Sequence, residues 1–495
     1  MSSQNTDWTF PQDVGSAPTP NLIDGDWTQS TSGDTFSAFD PGTGRVIAEV
    51  TKADAHDTDT AVAAARRAFD EGRWTRLPAA ERGAILWRAA DIMDSKADEL
   101  GVWESRNMGI PVPQARTMVH EAANQFRYYA GWADKVHGHT IDLGPAERRV
   151  QGYTLREPVG VVAMIVPWNA PLISASKKLA PALAAGCACV LKPADETPLT
   201  ALWLGEILLE AGVPAGVVNV ITGPGDTVGA ALAEHPDVDQ VAFTGSTEVG
   251  RSIIHAATGN LKKLQLELGG KSPVIVLPDA DLERTIPAVA GAVFWNSGQV
   301  CAAGTRLFVH EAVHDQVVEG VAAEGRRLRL GYGADSDVDL GPLISQKQLD
   351  RVTSYVDGGR ASGADVVTGG HRVGTDGYFF EPTVLTGVDQ SMNVMREEIF
   401  GPVLGVMPFS DIDQAVALAN DSSYGLASSV WTENGATAHG IARRLRAGRV
   451  GLNVHRAGGA YMPAGGYRQS GWGRENGEEG LSAYLEVKSV VSTLD

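Results

Sequence analysis

From residue 159 onward the chain alternates short apolar runs with amphipathic stretches, and few folds accommodate that alternation. "VGVVAMIVPW" at 159–168 is a continuous apolar run, as found in parallel strands buried on both faces. "LISASKKLAPALAAG" follows with helical spacing and ends at Gly186. "CACVLKP" reads as a strand, "LTALWLGEILLEAG" as a helix, "GVVNVITG" as a strand and "DTVGAALAEH" as a helix. "VDQVAFTG" is a strand, and "STEVGRSIIHAA" a helix opening on a Ser/Thr cap. Such a series predicts an open, mostly parallel α/β sheet with right-handed crossovers.

A second series begins near 272. It runs through "SPVIVLP", "DLERTIPAVAGAVFWNSG", "TRLFVH" and "AVHDQVVEGVAAEGRRLR", with later strands at "PVLGVMPF" and "GRVGLNV". Two packed α/β domains follow, joined at about 268–272 by the Gly-Gly of "LGGK". Upstream, "LIDGDW" and "AFDPGTGRVIAEV" within residues 1–50 read as β-hairpins, and residues 54–136 have helical three- and four-residue spacing. The tail "AYLEVKSVVSTL" is an apolar strand that needs an edge, in its own sheet or in a neighbouring subunit.

Composition excludes several classes. A net charge of −19 argues against nucleic acid as a partner. No apolar run approaches the ~18–20 residues needed to span a bilayer, and no membrane association is expected. "MSSQNTDWTFPQDVG" lacks a charged and an apolar segment, so no secretory leader is expected. Three cysteines, two of them only two residues apart, make no disulfide framework, so the cytoplasm is the expected compartment. No metal site is expected.

Ligands bind such sheets at the carboxyl ends of the strands, beside helix N-termini. Three strand ends carry polar residues: Asn169 in "PWNAP", Lys192 followed by Asp195, and Gly245 and Ser246 in "TGSTEVG". The N–H groups opening the helix at Ser246 suit a phosphate. "GSTEVG" departs from G-x-G-x-x-G, and "GPGDTVG" at 223–229 matches it only loosely, so either also reads as an ordinary turn. Lys192 equally reads as a solvated lysine, and Asn169 as a turn residue.

In "KLQLELGGKSP" the leucines 264, 266 and 268 share one face, which puts Gln265 and Glu267 on the other. Glu267 then either faces solvent or is a general base at the domain junction. Cys301, in "SGQVCAAGTR", has small neighbours that let a carbonyl carbon reach the sulfur. It is either a small buried hydrophobe or a nucleophile, and the latter needs thiolate character, a base and an oxyanion partner.

Taken together, these stretches resemble the NAD(P)-dependent aldehyde dehydrogenase superfamily over nearly the whole chain. The matching segments are "RYYAGWADKVHG", "EPVGVVAMIVPWNAPL", "LKPADETPLTAL", "EAGVPAGVVNVITG", "VDQVAFTGSTEVG", "LELGGKSP", "GQVCAAGTR", "GYFFEPTV", "EEIFGPV" and "GYRQSGWGREN". The resemblance implies a Rossmann-like dinucleotide-binding domain (1–139 and 159–268), a catalytic domain (269–470) and oligomerisation strands (140–158 and 481–495). It implies a homodimer or homotetramer. It makes Cys301 the nucleophile and Glu267 the general base, with Asn169 and the Cys301 N–H as oxyanion hole. A small-molecule aldehyde then passes through a thiohemiacetal and a thioester to its carboxylate. Cofactor contacts are implied for Trp168, Lys192, Asp195, Gly225, Gly229, Thr244, Gly245, Ser246, Val249, Glu398 and Phe400.

The chain departs from the family in places. Relatives often have Glu where this chain has Asp195. The shorter carboxylate grips ribose hydroxyls less well but still repels a 2′-phosphate, so NAD is expected over NADP. Where relatives carry bulky aromatics along the substrate tunnel, this chain has Ala170, Lys177, Gly458 and Ala464, with Arg456 near the mouth. A bulky or polar aldehyde is expected. A CoA-acylating semialdehyde dehydrogenase shares the fold, but that branch usually lacks a glutamate at the position of Glu267. A catalytically silent relative is the other alternative, and it would be expected to lack Cys301, Glu267 or Asn169.

Overall fold

The computed structural model describes residues 8–144, 150–335 and 337–493. Two hairpins come first: β1 (Asn21–Ile23) with β2 (Asp26–Thr28), and β3 (Thr35–Asp40) with β4 (Arg45–Thr51). Helices α1 (Ala55–Asp70), α2 (Ala79–Ser95), α3 (Ala97–Met108) and α4 (Val112–Ala130) follow. A reciprocal capping box starts α1: the Asp54 and Asp57 carboxylates accept from each other's backbone N–H at 3.0 Å. Its buried face is largely alanine (Ala61, Ala64, Ala65, Ala68), which lets the helix lie close to the sheet.

After β5 (Thr140–Asp142) and β6 (Val150–Pro158) the predicted alternation appears. It runs β7 (Val161–Ile165), α5 (Pro171–Ala185), β8 (Ala188–Lys192), α6 (Leu199–Ala211), β9 (Val218–Val220), α7 (Ala230–Glu234), β10 (Gln240–Thr244), α8 (Thr247–Ala256) and β11 (Lys263–Glu267). The helix expected over "DTVGAALAEH" is instead a π-helical turn, Gly225–Gly229, leading into the five residues of α7. Strands β7 to β11 are mutually parallel, in the order β9-β8-β7-β10-β11. Hairpin β1–β2 closes one edge and β21 (Gly471–Trp472) the other, both antiparallel. The chain reverses its direction of advance between β7 and β10, so a crevice opens at their carboxyl ends.

The second sheet holds β12 (Pro273–Val276), β13 (Arg306–His310), β14 (Asp365–Thr368), β17 (Thr383–Thr386), β18 (Val403–Phe409), β19 (Ala427–Trp431) and β20 (Arg449–Leu452). Strands β15 (Arg372–Val373) and β16 (Phe379–Phe380) pair apart from it. The sheet order is β14-β17-β18-β13-β12-β19-β20, parallel except at β14. Helices α9 (Leu282–Phe294) and α10 (His314–Arg327) pack on it.

The tail strand, β22 (Leu485–Thr493), finds its edge within its own chain. It pairs antiparallel with β6 from Leu485–Pro158 to Thr493–Val150, and β5 lies on the far side of β6. Ile141, Tyr153, Leu155, Val487 and Val491 are exposed on this small sheet. Residues 145–149 and 494–495 of the expected oligomerisation stretches lie outside the described residues. Among the described residues no helix is long and apolar enough to cross a membrane.

A buried carboxylate anchors α5. Glu104 of α3 accepts from the Leu172 N–H (3.2 Å), in the first turn of α5, and from the Thr200 hydroxyl (2.6 Å). Burial pushes its carboxyl from 4.5 up to about 7, against both hydrogen bonds. The folded protein therefore binds an extra proton between those values, and Glu104 subtracts stability as pH rises from about 4.5 to about 7. Glu104→Gln keeps a side-chain acceptor for these donors and cannot ionise. Thermal melts between pH 4 and 8 are expected to lose that slope in the variant, a difference of up to about 3 kcal/mol. An unchanged slope would contradict the assignment.

Candidate active site

Cys301 sits in the connection between α9 and β13. The loop folds back through three left-handed residues, Asn296 (φ 51°), Ser297 (φ 54°) and Gly298 (φ 69°). For the two non-glycines this costs about 1 kcal/mol each, so the surroundings must hold them. Ser297 Oγ donates to Gly341 O (2.6 Å), Gln299 Nε2 to Asn296 O (3.1 Å), and Ile344 N to Gln299 Oε1 (2.9 Å).

Asn169, between β7 and α5, is locked to this loop in both directions. Its Nδ2 donates to Gln299 O (2.9 Å), and its own carbonyl accepts from Asn296 Nδ2 (3.1 Å). One N–H of its side-chain amide remains for another acceptor. Gly270, past β11, closes the loop from below: a Cβ there would lie 2.4 Å from Cys301 O, so only glycine fits.

Cys301 is half-buried, whereas Cys187 and Cys189 are fully buried. Burial, then the Glu398 carboxylate, push the Cys301 thiol up to about 11; Glu267 adds to this, while Lys177 and Arg449 oppose it. Cys187 is pushed up to about 12 by burial.

Glu267 ends β11 and does not face solvent: only 8% of it is exposed, and its Oε1 has no hydrogen-bond partner among the described residues. Burial, then the neighbouring Glu475, hold its carboxyl well above the ordinary range, against Lys178 and Lys177. Burial also acts on Glu475, but Lys178 and Lys177 more than offset it and hold that carboxyl low. Lys178 Nζ lies 2.6 Å from Glu475 Oε1. Of the two carboxylates, Glu475 carries the charge and Glu267 takes the proton.

The other strand ends converge on the crevice. Lys192 is 2% exposed, so it is not a solvated lysine; its Nζ donates to Pro193 O (2.7 Å) and to Asp195 (3.0 Å). Gly225 faces open space, and Gly229 lies against the Lys192 stem. Thr244 is the register partner of Glu267, and Gly245 N donates to Glu267 O (3.0 Å). Ser246 caps α8 by accepting from the Val249 N–H (3.2 Å), and Val249 is exposed. Trp168 meets Phe400 edge to face, with ring centroids 5.1 Å apart. Glu398 accepts from Gly270 N (2.9 Å). Burial pushes its carboxyl up to about 7, against that N–H, Lys271 and Arg351.

Of the expected tunnel residues, Ala170 and Lys177 lie on the α5 side of Cys301, Arg456 and Gly458 on the loop after β20, and Ala464 beside Glu475. Ala170 is the residue before α5, and Lys177 lies on α5 within electrostatic reach of Cys301. Ala464 exchanges two 2.7 Å backbone hydrogen bonds with Glu475. Arg456 stacks over the ring of Trp295 at 3.6 Å, and Gly458 lies beside the Arg449 guanidinium.

The aldehyde dehydrogenase family model matches residues 27–490. The chain belongs to that family. Aldehyde dehydrogenase family 2 member B4, mitochondrial, of Arabidopsis thaliana is 46% identical, over 96% of this chain and 88% of that protein. Mitochondrial benzaldehyde dehydrogenase of Antirrhinum majus is likewise 46% identical over 96% and 88%. The NAD+ complex structure of an aldehyde dehydrogenase from Bacillus cereus matches with a TM-score of 0.96 at 41% identity, covering 99% of this chain and 100% of that one. The protein is thus an aldehyde-oxidising enzyme with the two-domain α/β fold of its relatives.

Sequence reasoning missed several residues that the structure brings to this candidate site of the aldehyde dehydrogenase. Gln299 and Asn296 brace the cysteine loop, Lys178 and Glu475 flank Glu267, and Arg449 and His455 border Cys301. Lys178 carried a signal, a charge on the buried face of an apolar helix.

Proposed function

We propose that the chain oxidises an aldehyde to its carboxylate with NAD, through a covalent intermediate on Cys301. The observation that carries this reading is one juxtaposition. A partly exposed thiol shares a braced site with a spare Asn169 N–H and a buried carboxylate, Glu267, that has an unpartnered oxygen.

The strand-end groups fit a dinucleotide. Gly225 leaves space, the N-terminus of α8 offers N–H groups to a pyrophosphate, and Lys192 with Asp195 offers a charge pair to ribose hydroxyls. Glu398, Trp168 and Phe400 border the cysteine side, where the nicotinamide end belongs. When bound, the nicotinamide supplies the hydride acceptor that turns the first adduct into a thioester.

The protein's own groups do the rest. The Cys301 thiol gives its proton to water, and its sulfur bonds to the carbonyl carbon as the C=O π pair moves onto the oxygen. The oxygen that becomes anionic receives the Asn169 side-chain N–H and the Cys301 backbone N–H. In the second half, Glu267 takes a proton from water, whose oxygen bonds to the thioester carbon; the C–S bond breaks and the carboxylate leaves. Glu267 suits this role because its raised affinity for protons makes it a stronger base than an ordinary carboxylate.

Hydrolysis is favoured over transfer to coenzyme A by the presence of Glu267. Small and polar residues at 170, 177, 458 and 464 support a bulky or polar aldehyde. The exposed apolar residues of the β5–β6–β22 sheet support a homodimer or homotetramer. An aldehyde panel with NAD and NADP, read as reduced-cofactor absorbance and repeated with coenzyme A present, tests the reading. Turnover at Cys301 without acyl-CoA supports it; silence across the panel, or acyl-CoA as product, contradicts it.

Asp195 sets the NAD preference, since its carboxylate repels a 2′-phosphate even though Lys192 offsets part of its charge. Asp195→Ser is expected to raise the NADP-to-NAD ratio of kcat/KM about 10-fold, equivalent to roughly 1.4 kcal/mol. An unchanged ratio would remove Asp195 from this role.

A further inference from the structure

The loop after β20 is fastened to the cysteine loop and presents cations beside it. His455, buried, donates from Nε2 to Ala302 O (2.8 Å) and accepts at Nδ1 from the Ser429 hydroxyl (2.9 Å). Burial pushes this imidazole down to about 4, so it stays neutral and acts as a staple. The next residue, Arg456, lays its guanidinium over Trp295, six residues before Cys301, while remaining exposed. Arg449, half-buried at the start of β20, donates from Nη1 to Ala457 O (3.3 Å) in the same loop. Gly458 lies against that nitrogen with its Cβ position 3.9 Å away, so no side chain covers it.

Among the described residues neither guanidinium forms a salt bridge. No carboxylate among the described residues offsets the charge of Arg449, whose titratable neighbour is the Cys301 thiol. Arg456 is faced only by Glu121, exposed on α4, and is opposed by Arg449 itself. Lys177 adds a third positive charge on the α5 side. Two guanidiniums near each other and partly desolvated, with one exposed carboxylate facing only Arg456, form an incomplete site. Their planar N–H forks match a carboxylate.

We propose that Arg449 and Arg456 form a carboxylate receptor beside the cysteine loop, so that the preferred substrates are aldehydes carrying a carboxylate at the far end. This rests on the reading of Cys301 as the reacting residue. The receptor binds the distal carboxylate and leaves the aldehyde carbon to the sulfur, with no chemistry of its own.

Two probes of nearly equal size test it, the ester being the intrinsically more reactive aldehyde: 4-formylbenzoate and its methyl ester, with NAD, in the wild type and in Arg449→Met and Arg456→Met. The wild type is expected to prefer the carboxylate by about 10-fold in kcat/KM, chiefly through KM, and to lose that preference as salt is raised. Each variant is expected to collapse the carboxylate-to-ester ratio severalfold. A folding defect, or an altered thiol, changes both rates together and leaves the ratio intact. A wild-type ratio of one or below, or variants that leave the ratio unchanged, would overturn the receptor. Silence with both probes in a wild type that oxidises other aldehydes also overturns it, whereas silence with every aldehyde overturns the dehydrogenase reading.

Discussion

Cys301→Ala is expected to abolish aldehyde oxidation, lowering kcat/KM by about 10⁴-fold or more with every aldehyde. Neither remaining thiol can take its place. Cys187 and Cys189 are fully buried in and beside β8, and burial pushes both thiols up. The loss is expected in chemistry and not in folding. The substitution removes one sulfur from a half-buried site, and the bracing by Asn169, Asn296 and Gln299 does not involve it. The melting temperature and the affinity for NAD, by thermal shift, are therefore expected to stay close to those of the wild type. Activity within 10-fold of wild type would remove Cys301 from the mechanism.

Glu267→Gln is expected to separate the two halves of the reaction. Steady-state turnover falls by about 10² to 10⁴, because no base remains to activate water against the thioester. The first half does not need that base in the same way, so rapid mixing is expected to show a burst approaching one NADH per active site before the slow phase. In the wild type the rate rises with pH as Glu267 loses its proton, since burial and Glu475 raise its carboxyl above the ordinary range. The variant is expected to lose that rise in the slow phase. Its stability is expected to hold or increase, because the substitution removes a buried ionisable group with an unpartnered oxygen. A variant that turned over steadily at the wild-type rate would assign the base elsewhere.

Both sheets were legible as alternation, because strands buried on both faces read as unbroken apolar runs. Strands β7 and β12 lie inside such runs, and β8 and β10 are apolar except at Lys192, Gln240 and Thr244. Strand limits were less legible. The ten-residue run at 159–168 pairs only over Val161–Ile165, since it includes Gly160 at φ 127° and Pro167, which has no N–H to donate. The tail strand was legible as a strand but not by its partner, because β6 lies more than 300 residues upstream.

For the site, residue types and strand-end positions pointed to Asn169, Lys192, Ser246, Glu267 and Cys301. Burial was not legible. Alternation sets Glu267 opposite its leucines but cannot say what covers that face. The cover is the segment around Gly465, where a Cβ would lie 2.8 Å from Glu267 Oε1. The same distance in sequence hid the flanking ion pair, since Lys178 and Glu475 are 297 positions apart. Arg449 and His455 reach Cys301 only through the packing of β20 and its following loop against the cysteine loop.

The most direct test of covalent catalysis is the mass of the trapped intermediate. Glu267→Gln protein is mixed with NAD and an accepted aldehyde, quenched in acid and digested, and the cysteine peptides are weighed. The expected result is a gain of one acyl group on the peptide carrying Cys301, absent without NAD and absent when Cys301→Ala is added to Glu267→Gln. Unmodified Cys301 during a full NADH burst, or an acyl group on the peptide of Cys187 and Cys189, would contradict the account.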